Sequence, residues 1–442
     1  MTTRNKIFDV IIVGCGPSGI GSGIEFEKLK PNIDYLILEA RNRIGGRAFT
    51  DITAFGENIP IDIGAHYLCH HEQENFLRSY YLPSNDDFIE SDTYNVSNMK
   101  IFDENGHIIS DDFINRAMKI VEDLLLIVKT YPNEKSDISI LDLIDNQLKN
   151  IANEQIKRLV QIGLSYTELH EGSDLNELSC KYYGRGEGDL QQSDLSITNG
   201  LGSLVKHIAS KYNLPIKLNS IVTNIDILNE SDGIVRVSTK DNSSYLCKYV
   251  LLTIPLGCLK LNSIIFSPSL PQWKEEAIHK MGFGLLNKVF LQFSEIFWDE
   301  KLQRITIITD RFKFYYCLPQ YHMLALYISG YVAKQLEQKT DEEIVEEAFN
   351  SLRHVYPNIS YPIKWLITRW GSDPFSKGSY SSFHVGSDLK TLKELSIETH
   401  AGHVHWAGEH TNYNGSIGYV DSGFESGIRE AKKILNKLQL ST

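Results

Sequence analysis

The sequence is poor in cysteine: six residues in 442 (Cys15, Cys69, Cys180, Cys247, Cys258 and Cys317), scattered and never spaced as C-x-x-C. Such usage excludes a disulfide framework and a zinc ribbon, and leads us to expect free thiols in a reducing, cytoplasmic setting. Positive charge is also short, with 44 Lys and Arg against 56 Asp and Glu and a formal net charge of −12. A nucleic-acid binder normally carries a basic excess, so no nucleic-acid partner is expected, whereas a cationic ligand is compatible. No apolar run reaches the roughly 18 residues that a spanning helix needs, so no membrane partner is expected either. The opening Met1–Lys6 is short and polar and does not read as a secretory leader. Internal repeats and low-complexity tracts are missing too. What remains, 42% hydrophobic and 23% charged, is a globular composition with enough chain for two domains.

What is present begins with "FDVIIVGCGPSGIGSG" at 8–23. Phe8–Val13 reads as a strand buried on both faces, the pattern of a parallel sheet. Gly14, Gly16 and Gly19 then fit G-x-G-x-x-G ahead of a helix. Glycines there allow a tight turn, close backbone approach to a pyrophosphate, and close helix–strand packing. The helix N-terminus offers free N–H groups and partial positive charge to the phosphates. A second strand, Tyr35–Leu38, runs into Glu39, 20 residues beyond Gly19, where an acid can accept the ribose hydroxyls. This combination predicts a dinucleotide site. Shortly after it, "ARNRIGGRAFT" sets Gly45 and Gly46 between Arg43 and Arg47, a second glycine turn flanked by planar cationic donors.

Helical periodicity is expected at 112–130, 141–166, 200–211 and 341–356, and strands at 216–254, 287–293, 304–309, 314–318 and 323–329. The last strand, 403–409, leads through glycines into a helix from about Asp421, repeating the strand–glycine–helix order of the beginning. One nucleotide-binding domain assembled from 1–85, 195–265 and 400–442 is therefore expected, with 86–194 and 266–399 forming a second domain.

"LEARNRIGGRAFT" resembles the segment after the second strand of the flavin-dependent amine oxidases, which include polyamine oxidases, monoamine oxidases, L-amino acid oxidases and flavin histone demethylases. The resemblance continues in order through "DIGAHY" (62–67), "GLGSLVKHIA" (200–209), "VLLTIPLGCLK" (250–260), "MGFGLLNKVFLQF" (281–293), "RWGSDPFSKGSYSSF" (369–383) and "WAGEHTNYNGSIGYVDSGFESGIREA" (406–431). It is strongest toward the polyamine oxidase and demethylase branch. It implies an α/β fold: a Rossmann-type FAD-binding domain with an inserted α+β substrate-binding domain, as in p-hydroxybenzoate hydroxylase-like architectures.

By this resemblance, Gly14, Gly16, Gly19 and Glu39 hold the adenosine and pyrophosphate, with Val222 meeting adenine through its backbone. Arg41, Gly46, Arg47, Gly64, Ala65, Trp370, Glu409, Gly418 and Val420 complete the cofactor site. Lys288, in the otherwise apolar "LLNKVFLQF", matches the lysine that holds a water beside flavin N5; by itself, a lysine in such a strand must be paired, hydrated or at an edge. Tyr380 and Tyr419 match aromatic walls that orient an amine, and His66 and Glu168 fall among candidate substrate contacts. Ser379 stands where monoamine oxidases carry the cysteine that tethers FAD, which implies a non-covalent cofactor. "HYLCHH" departs from the family: Cys69 occupies the expected His or Glu position, flanked by His66 and His70. "CHHE" lacks a second ligand cluster, so no metal is expected.

The implied reaction is oxidation of a small-molecule amine, a polyamine of the spermine or spermidine kind, at a C–N bond: hydride transfer to flavin N5, imine hydrolysis, and reduction of O2 to H2O2. An L-amino acid oxidase is an alternative and would need a cation for the substrate carboxylate, for which Arg311 and Arg369 are candidates. A flavin-bearing regulatory protein with little turnover is an alternative of another class.

Overall fold

A computed structural model describes residues 6–56, 59–69, 77, 88–90, 98–184, 195–229 and 233–440. Its first sheet has the order Ile265–Ser267, Val222–Asn229, Ile234–Thr239, Ser244–Leu252, Ile7–Val13, Tyr35–Leu38, Ile216–Lys217, with Val404–Trp406 also paired to Ser244–Leu252. Ile7–Val13 runs parallel to both its neighbours. Its alternation explains its all-apolar sequence. Val10 and Ile12 enter one core with the helices Pro17–Leu29 and Val420–Leu440, while Ile11 and Val13 enter another on the opposite face. Burying each such side chain contributes about 1.5–3 kcal/mol.

The first and last helices can pack closely because glycine meets backbone. A Cβ at Gly427 would lie 2.0 Å from the Ser18 carbonyl oxygen, and one at Gly21 would lie 2.9 Å from that of Phe424. The terminal segments of the chain thereby become one layer over the sheet.

The second sheet has the order Lys364–Ile367, Leu286–Gln292, Met323–Ser329, Phe314–Leu318, Arg304–Ile307, Met99–Phe102, antiparallel except for its last pair. One core packs it against Asp341–Val355, a helix started by a Thr340–Glu343 capping box. Another joins it to a group of helices including Asp111–Lys129, Ile140–Lys149 and Glu154–Glu171.

Several expected elements are divided. The periodic stretch 141–166 is two helices, because Asn153 accepts the Ile156 N–H and starts a new one. The expected strand from 216 breaks between Lys217 and Val222, where Asn219 takes a left-handed conformation (φ 55°). The helices Gln272–Lys280 and Leu389–Ser396 lie in segments expected to belong to the second domain. Instead, their Ala277, Ile278, Leu392 and Leu395 pack with Ile11 and Val13 of the first sheet. Their apolar faces could not reveal which sheet would cover them.

Candidate active site

The two sheets contribute to the walls of a cavity of about 670 Å3. One end is built by glycine. Gly14 (φ 107°) turns the chain out of Ile7–Val13, and Gly16 is the extended N-cap of Pro17–Leu29. Gly46 comes from the second glycine turn to face Gly16; a Cβ on Gly46 would lie 3.2 Å from the Gly16 Cα. These loops leave a narrow backbone cradle at a helix N-terminus, suited to phosphate oxygens. Gly19 is the exception among the three fingerprint glycines. It does not line the cavity, but a Cβ there would lie 2.0 Å from the Gly14 oxygen, so its role is packing the helix onto the turn.

Glu39 lines the same end and is buried, with Oε2 accepting the Cys15 N–H at 2.7 Å and Oε1 the Arg41 N–H at 2.8 Å. Burial raises its proton affinity, outweighing the opposing pull of those donors. Val222 lines the wall at the start of its strand. Arg41 also lines it, held by a bidentate pair with Asp373 at 2.6 and 3.0 Å. Arg43 instead donates to the Gly46 oxygen and stacks over Phe49, shaping the loop.

Midway, Arg47 donates to the Ser379 oxygen at 2.6 Å and to Glu409 at 3.0 Å. Glu409 also accepts from the Ser381 hydroxyl and the Gly418 N–H, so one buried carboxylate ties three segments together where Val420–Leu440 begins. Gly418 (φ 85°) and Val420 line this wall. Gly64 has no room for a side chain: a Cβ would lie 1.7 Å from the Arg47 oxygen. Ala65 donates its N–H to that oxygen, and Trp370 donates its indole N–H to Ile63, so this turn, the arginine loop and the tryptophan form one wall.

Lys288 is 3% exposed and lines the cavity from Leu286–Gln292. Its Nζ donates to the carbonyl oxygens of Asp62 (2.8 Å) and Gly64 (2.7 Å), leaving a third donor for the cavity. Burial pulls its pKa down to about 8, against the raising effect of Asp62. Tyr380 donates to the Leu169 oxygen at 2.9 Å, and the Tyr419 hydroxyl lies 3.5 Å from His170 Nε2. Both expected aromatic walls are thus anchored to the last turn of Glu154–Glu171, which stops at Gly172 (φ 65°).

His66 lines the cavity, with Nδ1 3.4 Å from Asp62 Oδ2 and Nε2 3.2 Å from the Ser196 hydroxyl. Cys69 is also in the lining, whereas His70 is outside the described residues. Glu168 is not in the lining. It turns to accept the Leu175 N–H, in the field of Lys313, and burial raises its pKa. Glu171, nearly one helical turn further on, is in the lining instead.

The carboxylate-binding candidates also lie elsewhere. Arg311 pairs with Glu347, and Arg369 is held by Asp341 and the carbonyls of Leu336, Glu337 and Lys339. Besides Arg41, Arg47 and Lys288, Arg304 lines the cavity, with its guanidinium 4.4 Å from the Tyr166 ring centroid and 5.9 Å from that of Tyr316. Sequence reasoning missed Arg304, Asp62 and Glu171. Strand alternation would place Arg304 on a sheet face, but only the cross-strand register Arg304–Tyr316 brings it beside the tyrosines.

An anion cradle joined to an aromatic chamber containing a buried lysine defines a dinucleotide-dependent oxidoreductase site. Residues 29–435 match the family described as flavin containing amine oxidoreductase, and the chain belongs to that family. It is 29% identical to "Polyamine oxidase 4" of Oryza sativa subsp. japonica, over 97% of this chain and 89% of the relative. It is 28% identical to "Polyamine oxidase 2" of Arabidopsis thaliana, over 98% and 88%. It is also 27% identical to "Lysine-specific histone demethylase 2" of Homo sapiens, covering 96% of this chain but 53% of that protein. The protein is an FAD-dependent amine oxidase with a Rossmann-like FAD-binding fold and a substrate-binding domain.

Proposed function

We propose that this enzyme oxidises a C–N bond of a polyamine or related alkylamine, with O2 as electron acceptor and H2O2 as product. The observation that carries this reading is the convergence of Lys288, Tyr380 and Tyr419 on one cavity. The donor set fits FAD: the Gly14–Gly16–Gly46 cradle for pyrophosphate, Glu39 and Val222 for adenosine, and the start of Val420–Leu440 for the ring. When bound, FAD supplies the two-electron acceptor for the substrate C–H bond. Arg47, held by Glu409, lies beside the cradle, and the helix start presents N–H donors where negative charge develops.

Tyr380 and Tyr419 hold an alkyl chain by apolar contact and orient its nitrogen. Lys288 directs its remaining donor to a water or oxygen species in the chamber. Glu171, rather than Glu168, receives a distal ammonium group. The cofactor unit takes in segments around 7–68, 195–281 and 383–440, and the inserted α+β unit is the second sheet with the helices between 111 and 171. Among the described residues no disulfide joins the cysteines, which supports placing the enzyme in a reducing cytoplasmic setting.

A peroxide-coupled assay of purified holoprotein tests the substrate class with spermine, spermidine, their acetylated forms and L-amino acids. Peroxide from the polyamines is expected. One observation favours a second reading: Arg304 is a cation in the cavity wall that could meet an α-carboxylate. Robust peroxide from L-amino acids, with none from the amines, would transfer the assignment to an L-amino acid oxidase.

A further inference from the structure

We propose that His66 takes the proton from the bound ammonium substrate before oxidation, and that Asp62 is a positioning residue that holds His66 for this task. The proposal rests on the alkylamine reading above. An alkylammonium resembles a lysine side chain, with an unperturbed pKa near ~10.4, and arrives protonated at neutral pH. Hydride removal from its α-carbon requires the nitrogen lone pair, so a proton must first leave inside the cavity.

Most groups that could receive it are otherwise engaged. Glu39 and Glu409 lie at the cofactor end, each bound by several donors. Lys288 donates to two carbonyls, and Tyr380 donates to Leu169. His66 is different. Its side chain is 27% exposed and lines the cavity, while its partner Asp62 is almost wholly buried.

Asp62 is fixed from several directions. Oδ1 accepts the Thr50 hydroxyl at 2.6 Å and Oδ2 the Leu201 N–H at 2.9 Å. A carboxylate held this way cannot turn to follow a moving ring; it selects the ring orientation that brings Nδ1–H to Oδ2. The neutral imidazole then carries its lone pair on Nε2, 3.2 Å from the Ser196 hydroxyl, a rotatable group that must turn its proton away before Nε2 accepts one from the substrate. Proton transfer breaks one substrate N–H bond and forms one at Nε2, giving a neutral amine and an imidazolium next to a carboxylate; the proton later passes to solvent.

The surrounding charges agree with that role. Burial would raise the Asp62 pKa, but His66, Thr50 and Lys288 outweigh it and keep the carboxyl below its ordinary range. Lys288, which donates to the Asp62 backbone carbonyl at 2.8 Å, opposes a second positive charge, so the Asp62 carboxylate must offset it. Tyr67 stands edge-on to His66 with ring centroids 4.4 Å apart, and Tyr327 lies in the field of both Tyr67 and Asp62, its own pKa raised first by burial. Asp62 is the negative group in this set, so it is the one that stabilises imidazolium.

Anaerobic stopped flow with saturating spermine measures the limiting flavin-reduction rate of the holoprotein across pH. For His66→Gln, the rate at neutral pH should fall roughly ten- to a thousandfold and approach wild type in alkali, where the amine deprotonates unaided. His66→Ala should regain neutral-pH reduction with added imidazole. Asp62→Asn should lose rate in the same pH region, by about tenfold. A His66→Gln profile superimposable on wild type, or a loss equal at all pH values, overturns the proposal, as does the same alkaline recovery appearing in His170→Gln instead. An unchanged Asp62→Asn profile overturns the positioning role. If Asp62→Asn does not fold, the His66 variants still decide the proton acceptor. Reduction by spermine at alkaline pH in these variants upholds the alkylamine reading whatever becomes of His66; no reduction by spermine in wild type defeats that reading itself.

Discussion

The Nζ of Lys288 bridges the carbonyl oxygens of Asp62 and Gly64, at 2.8 and 2.7 Å, so a buried ammonium pins the turn before His66 to the strand Leu286–Gln292 of the second sheet. Lys288→Met should retain FAD because the cradle for its phosphates is built elsewhere. Turnover should fall on the order of ten- to a thousandfold, the range for losing one positioned proton-transfer or electrostatic group. Stopped-flow reduction and reoxidation rates equal to wild type would remove Lys288 from the reaction.

The same lysine carries a stability signature. Its folded pKa is about 8 against an ordinary 10.5, so between those values the unfolded chain binds more protons. The Lys288 contribution therefore favours folding progressively as pH rises through that window and is least favourable below it. Denaturant midpoints compared between wild type and Lys288→Met from pH 7.5 to 10.5 should show the variant lacking this rise.

Ser379 fills the place of a tethering cysteine, and its hydroxyl is bonded to both the N–H and the carbonyl of Leu286. Acid precipitation should release the yellow cofactor into the supernatant. Colour retained in the washed pellet would contradict a non-covalent flavin.

Asp421, in the first turn of Val420–Leu440, is pushed up to about 7 by burial and by Glu425, against backbone donors. Between its ordinary 3.8 and about 7 the folded state binds the extra proton, so this group's contribution to stability falls as pH rises through that window. Asp421→Asn should relieve that cost, raising stability above pH 7 by about 1–3 kcal/mol relative to wild type, with the gain fading toward pH 4. Urea unfolding of the holoprotein at pH 4.5 and 8 measures the difference; equal effects at both would assign the change to packing.

Much of the cofactor end was legible because its constraints are local. Gly14, Gly16 and Glu39 follow from a strand, a turn and a second strand within one short segment. Lys288 was legible because a charge in an apolar strand needs a partner, although the partners themselves, two carbonyls from 62–64, could not be read from that strand. The substrate end depends on long-range register and helix phase. Arg304 meets Tyr316 only after strands have paired, and Glu168 and Glu171 differ only in the face a helix presents as it ends at Gly172. The demethylase-branch similarity could not choose between those faces either.

That difference in helix phase gives the last prediction. Glu171 lines the cavity, and its charge raises the proton affinity of Tyr380 in addition to the larger effect of burial. Glu168 accepts the Leu175 N–H behind the wall. If a distal ammonium of the substrate meets Glu171, Glu171→Gln should raise KM for spermine by about tenfold, the scale of one partly buried charge pair. Glu168→Gln should leave KM close to wild type, while the Glu171 variant should lose much of the increase in KM that wild type shows with added salt. The comparison also separates direct attraction from the general acidity of the protein, since both substitutions remove one negative charge from a chain of net charge −12. Steady-state kinetics at low and high ionic strength read both effects. A larger KM increase in Glu168→Gln than in Glu171→Gln would reverse the assignment, and equal salt dependence in wild type and Glu171→Gln would show that this carboxylate does not receive the substrate's charge.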